Sequence, residues 1–212
     1  MQYHIVPVTD LQQNCTLLWC EHTDEAVITD PGGDIDLILK QIRKLDIHPV
    51  EILLTHGHFD HVGGALELAK LLSVSITGPH IGDMFWFQNL EQQTRMFGLD
   101  YKIQNFTPNR WLQAKDKIQF GDEILEVLHC PGHTPGHVIY FNRQDQLAIV
   151  GDVLFKNGIG RTDFPYGSYD TLMRSITEQL WPLGDAVRFI PGHGPMSSFG
   201  EERLHSPFFV HE

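Results

Sequence analysis

Apolar residues come along this chain in two rhythms, and the rhythm changes several times within the first hundred positions. "YHIVPV" (3–8), "CTLLWC" (15–20) and "EAVITD" (25–30) are short, rich in branched and aromatic side chains, and separated by polar residues, which reads as strands. "DIDLILKQIRKL" (34–45) then sets Ile35, Ile38, Leu39, Ile42 and Leu45 at helical spacing behind an Asp-rich start. "VEILLT" (50–55) is a continuous apolar run suited to a buried strand, "GGALELAKLL" (63–72) a further helix, and "VSITGP" (74–79) another strand. From Pro79 to about Leu99 the pattern is helical but irregular. Its stretch "IGDMFWFQNLEQQTRMFGL" is rich in Phe, Trp and Met and reads first as ordinary core, otherwise as an apolar wall over a site.

The second half has the same class of pattern in a different sequence. "DKIQFGDEILEVLHCPG" predicts a hairpin turned at Gly121 and Asp122, followed by strands in "GHVIYFN" and "QLAIVGD". A helix, "YDTLMRSITEQL", and a last strand, "AVRFIPG", complete the set. Strands and helices in two successive groups predict an α/β chain of two sheets packed face to face, with helices outside. Loops along one edge of the sheets are then the place for a ligand.

Composition narrows this picture. At 212 residues and 42% hydrophobic content the chain can bury one substantial core, and it holds no repeat or Ser/Gly-rich linker, so a single domain over 1–212 is expected. "MQYHIVPVTD" has no basic segment leading into an apolar stretch, and no run is long enough to span a bilayer. A cytoplasmic protein without a membrane partner is the expectation. Cys15, Cys20 and Cys130 are odd in number and lack CxxC spacing, which points to reduced, buried thiols. The net charge of −12 comes with no dense run of Lys or Arg, so nucleic acid is not the expected partner.

Thirteen histidines exceed what a core of this size needs, so the chemistry is to be sought among them. In "THGHFDH", His56, His58, Asp60 and His61 fall where a strand ends, and imidazole with carboxylate suits divalent zinc, iron or manganese. His133 in "CPGHTPGH", Asp152 in "IVGDVLF" and His193 in "FIPGHGP" stand at comparable strand ends. Seven donors from four loops exceed one open catalytic shell and are enough for two cations sharing a bridge. His4, His22, His48, His80, His129, His205 and His211 read as hydrogen-bonding surface residues.

These motifs, in this order, resemble the metallo-β-lactamase-fold hydrolases, and the resemblance covers nearly the whole chain. It implies an αββα sandwich in which His56, His58 and His133 hold one metal, Asp60, His61 and His193 a second, and Asp152 bridges them. A hydroxide bridging the metals near Asp60 and Asp152 would be the nucleophile. "TDPGG" also matches, with Asp30 either orienting a ligating histidine or simply forming a turn, while His137 takes a hydrogen-bonding role behind the ligands.

Within that superfamily, "HTPGH", the single bridging Asp and "LFKNGIGRTDFPYGS" look most like the glyoxalase II branch, the hydroxyacylglutathione hydrolases. The resemblance implies hydrolysis of S-lactoylglutathione, the closing step of methylglyoxal detoxification, with two divalent ions as cofactors, zinc first and iron or manganese as alternatives. Arg161 in "GIGRTDF" occupies the place of a basic residue that approaches the glutathione moiety, unless it is tied to Asp163. Nineteen residues (194–212) follow His193, too few for the helical segment by which two-domain members grip glutathione, so a short form with different thiol recognition is expected. A persulfide dioxygenase using one iron, a lactonase or β-lactamase, and a non-catalytic metal-binding protein are the other readings. The sequence is compatible with a monomer.

Overall fold

The computed structural model describes residues 1–96, 98 and 103–209. The expected helical end near Leu99 and the surface reading of His211 lie outside the described residues. The first sheet holds, in spatial order, β1 (Gln2–Val8), β2 (Gln13–Trp19), β3 (Glu25–Thr29), β4 (His48–Leu53), β5 (Ser75–His80) and β6 (Arg110–Leu112). β1 to β3 are antiparallel and β3 to β6 parallel. The parallel part is wound through α1 (Ile35–Leu45), α2 (Phe59–Val62), α3 (Ala65–Leu72), α4 (Met84–Gln88) and α5 (Leu90–Met96).

The second sheet is built from β7 (Lys117–Phe120), β8 (Glu123–His129), β9 (Val138–Asn142), β10 (Leu147–Gly151), β13 (Arg188–Pro191) and β14 (Ser197–Ser198), ordered 14-13-10-9-8-7. A small hairpin of β11 (Leu154–Phe155) and β12 (Gly158–Ile159) follows β10, and α6 (Tyr169–Ser175) and α7 (Phe199–His205) cover the outside. The expected hairpin is present: Phe120 pairs with Glu123 across Gly121, whose φ is +52°.

Three apolar clusters show the layering. Leu18, Val27 and Leu53 of the first sheet pack with Val127, Tyr140, Ile149 and Ile190 of the second. Their chain neighbours Leu17, Ile28 and Ile52 face the other way, against Ile38 and Ile42 of α1 and Leu68 of α3. On the far side Ala148, Val150 and Phe189 meet Leu172 of α6 and Phe199 of α7. Successive strand residues point to opposite faces, so a sheet covered on both sides needs apolar residues without interruption, which is why these strands read as continuous runs. The result is the expected αββα sandwich.

Local differences have identifiable causes. Asp34 does not cap α1 with its side chain; its Oδ2 accepts the Thr9 N–H at 2.7 Å. The helix expected over 169–180 is α-helical only to Ser175 and widens into a π turn over Ile176–Leu180. Pro182 lies one residue beyond Trp181, lacks an N–H and would press its ring on the carbonyl of Glu178, so a regular helix cannot continue. Among the described residues no helix is long and apolar enough to cross a membrane.

Candidate metal centre

The seven donors named from the sequence come together at the carboxyl ends of strands from both sheets. His56 and His58 lie in the loop after β4, Asp60 and His61 in the short α2, His133 between β8 and β9, Asp152 after β10 and His193 after β13. Two glycines permit the approach. Gly151, before Asp152, has φ +49°, and a Cβ at Gly192, before His193, would fall 2.1 Å from Asp152 Oδ1.

His58 Nδ1 stands 3.1 Å from His56 Nε2 and 3.0 Å from His133 Nε2. Beside this triad, His193 Nε2 is 3.2 Å and His61 Nε2 3.8 Å from Asp60 Oδ2. Asp152 lies between the groups, with Oδ1 3.4 Å from His61 Nε2 and Oδ2 3.6 Å from His133 Nε2 and 3.9 Å from His193 Nε2.

Outward hydrogen bonds decide which ring nitrogens face inward. His61 Nδ1 donates to Asp30 Oδ2 at 2.9 Å, His133 Nδ1 to the Arg161 carbonyl at 2.7 Å and His193 Nδ1 to the Leu11 carbonyl at 3.2 Å. The Thr55 hydroxyl donates to Asp30 Oδ2 at 2.6 Å and so accepts from His56 Nδ1 at 3.0 Å. Every one of these partners is an acceptor, so Nε2 of His56, His61, His133 and His193 faces inward and carries the lone pair in the neutral ring. His61 Nε2 and Asp152 Oδ1 are buried without a hydrogen-bond partner. Inward-facing imidazole nitrogens gathered beside two carboxylates are what a cation satisfies, so the residues fit a metal.

The electrostatics divide the site. Burial, joined by neighbouring histidines, holds His56 and His58 well below the usual imidazole range, and burial lowers His133 as well. The shift favours the neutral ring, the form in which an imidazole can bind a metal. Burial also works to lower His61, but the Asp152 and Asp60 carboxylates outweigh it and hold it well above its usual value, so a cation at this ring would take the place of a proton. Asp152 answers in kind: burial would raise it, and His61 and His133 pull it far below the carboxylate range.

The other residues singled out from the sequence fall close by. Asp30 sits behind the site, its Oδ1 accepting the Thr55 N–H at 2.7 Å while Oδ2 serves Thr55 and His61. His137 Nε2 accepts the Asp152 N–H at 3.0 Å, and its ring stacks on His56 at 4.7 Å. Arg161 lines the cavity in front of the site and is also held by Asp163, through two bonds of 3.0 and 2.8 Å, and over the Phe164 ring at 4.3 Å. The aromatic segment divides: Phe87 and Leu90 enter the core, while Phe85 and Trp86 line the cavity, Trp86 standing edge-on to His58 at 4.6 Å.

Sequence reasoning passed over Thr55, Asp83, Gln93 and Lys156. Gln93 accepts the Phe59 N–H at 3.0 Å and donates to the Gly57 carbonyl at 3.1 Å, gripping the loop that carries His56 and His58. Lys156, at the turn between β11 and β12, lines the same cavity of about 830 Å³ as Arg161. For Lys156 alone there was a signal, a basic residue four positions after Asp152 in the segment already marked for substrate.

A four-layer sandwich with a His/Asp cluster at one sheet edge places the chain in a class, and the family's sequence model matches residues 8–193: the chain belongs to the metallo-beta-lactamase superfamily. It is similar to the hydroxyacylglutathione hydrolase GloC of Haemophilus influenzae, 44% identical over 98% of both chains. Among solved structures it resembles the B3 metallo-beta-lactamase BLEG-1, with a TM-score of 0.90 at 32% identity over 99% of this chain and 100% of that one. TTHA1623 in a di-iron-bound form is also similar, with a TM-score of 0.87 at 32% identity over 97% and 99%.

Proposed function

We propose that this chain is a metal-dependent thioester hydrolase whose substrate is S-lactoylglutathione or a close glutathione thioester. In this reading His56, His58 and His133 would hold one divalent cation and Asp60, His61 and His193 a second, with Asp152 available to both; zinc, iron and manganese all accept such a mixed set. Two ions so held would supply a hydroxide nucleophile near neutral pH and a Lewis acid for a carbonyl oxygen.

The observation that carries the substrate choice is the cavity in front of the donors, whose wall combines Phe85, Trp86, Phe155 and Phe164 with two cations, Lys156 and Arg161. The aromatic wall excludes water and seats the apolar parts of the substrate, and the cations face the carboxylates a glutathione thioester carries. Among the described lining residues the only carboxyls are Asp60 and Asp152, both assigned as ligands in this reading, so no further carboxylic acid stands ready to protonate a leaving group. A thiolate, with a conjugate pKa of about 8.5, leaves without one. Likeness to a protein named hydroxyacylglutathione hydrolase supports the same choice.

Purified protein is expected to hydrolyse S-lactoylglutathione with two metal ions per chain by elemental analysis, and His58→Ala or Asp60→Ala to abolish turnover. One iron per chain, with oxygen uptake on glutathione persulfide and no thioester turnover, would identify a persulfide dioxygenase instead. Turnover confined to a lactone or β-lactam would keep the nucleophile and displace the substrate. A metal-loaded protein inert on all of them would sink the enzymatic reading.

A further inference from the structure

Asp83 ends the 3₁₀ turn Ile81–Asp83 after β5, in a stretch that carries no ligand. Its side chain is fully buried, and both oxygens accept hydrogen bonds. Oδ2 takes the Gly57 N–H at 2.8 Å and the Thr134 hydroxyl at 2.8 Å, while Oδ1 takes the Gly136 N–H at 2.5 Å. Gly57 lies between His56 and His58; Thr134 follows His133, and Gly136 precedes His137. One carboxylate therefore fastens the loop after β4 to the loop between β8 and β9. These are the two loops whose imidazoles converge on His58 Nδ1.

We propose that Asp83 is a positioning residue that sets the distance of His133 from His56 and His58, and so controls the metal affinity of this triad without touching the metal. The inference rests on the ligand assignment proposed above. It follows from the count of donors and acceptors. Three donors converge on one side chain, and only a carboxylate offers acceptors on both of its atoms. Asparagine has nearly the same shape but one acceptor atom, so its amide NH₂ must face the N–H of either Gly57 or Gly136, and one ligand loop is pushed away. The second donor group, Asp60, His61 and His193, takes nothing from the His133 loop and has no hydrogen bond to Asp83. Burial pushes the Asp83 carboxyl up to about 7 against the pull of its three donors, so the clamp is to be tested above that pH.

The test is a Co²⁺ titration of metal-free protein at pH 8, followed by visible absorption and equilibrium dialysis. Wild type is expected to bind two equivalents. Asp83→Asn is expected to keep one at wild-type affinity and to bind the other about 10- to 100-fold more weakly, the range for groups that hold metal ligands in place. Thr134→Val, which removes one donor and leaves the carboxylate, serves if Asp83→Asn does not fold. It should weaken the same site by less, and Thr134→Ser should restore it. Two equivalents at wild-type affinity in Asp83→Asn, or in Thr134→Val where that variant has to serve, would overturn the proposal, as would both sites weakened together. A wild type that binds fewer than two equivalents would overturn the two-metal reading itself.

Discussion

Four histidines spend their outward nitrogen on four different acceptors, Asp30, the Thr55 hydroxyl and the backbone carbonyls of Arg161 and Leu11. The role of Arg161 is thus split, since its carbonyl aligns His133 while its guanidinium is occupied by Asp163 and Phe164. Lys156 lines the same cavity, and no carboxylate among the described residues pairs with it. The two cations should therefore separate in kinetics. Lys156→Ala is expected to raise KM for S-lactoylglutathione about fivefold with kcat unchanged, the effect of losing about 1 kcal/mol of ground-state binding. Arg161→Ala should cost less, about twofold, because the arginine is already paired and the backbone bond to His133 survives. Steady-state kinetics of both variants decide it; an equal or larger KM effect at Arg161 would make the arginine the anchor. The donors themselves could be read from the sequence because His and carboxylate side chains, both common metal ligands, cluster there at strand ends. Asp83, Thr55 and Gln93 could not, because what they hold is backbone N–H or C=O of a distant loop, or a neighbouring ring, and such partners leave no residue pattern.

At the level of elements, the end of β4 matters most, because His56 and His58 follow it directly. Tyr140, fully buried on the inner face of β9, crosses the sandwich and donates to the Leu54 carbonyl at 2.7 Å, tying the second sheet to the start of the loop that carries His56 and His58. Tyr140→Phe keeps the ring and strands a buried carbonyl, so unfolding free energy should fall by about 1–3 kcal/mol. Urea denaturation of the metal-free protein measures this directly; an unchanged midpoint would mean that water takes over the bond. The strands on either side of this contact were plain in the sequence because both sheet faces are covered. Shorter elements were not. β6 is three residues of "NRWLQ", too few for alternation to show, and β11, β12 and β14 are two residues each. α7 did leave a trace: Ser198 and Glu201 form the S-x-x-E start of a helix, and the Ser198 hydroxyl accepts the Glu201 N–H at 3.2 Å. Gly200 within it weakens the helical signal.

Across the whole molecule, each proposed ion draws ligands from both sheets. His56 and His58 come from the first and His133 from the second, and likewise Asp60 and His61 from the first and His193 from the second. Metal binding is then coupled to the packing of the sandwich. An ion present at about 1,000 times its Kd contributes about 4 kcal/mol to the folded state, and for a chain of this size about 1 kcal/mol moves the melting midpoint by about 2–4 °C. Stripping both ions should therefore lower Tm by on the order of 10–30 °C. Unfolding should nevertheless stay a single transition, because ties independent of metal also join the sheets. The Asn14 side chain donates to the carbonyls of Pro191 at 3.0 Å and Gly194 at 2.8 Å, and Tyr140 bonds Leu54 on the opposite flank. Calorimetry before chelation, after it and on restoring the metal checks both parts. A midpoint that stays put while metal content falls to zero would mean that the ions do not staple the sheets. Two separate transitions would mean that the sheets need the ions to fold as one unit.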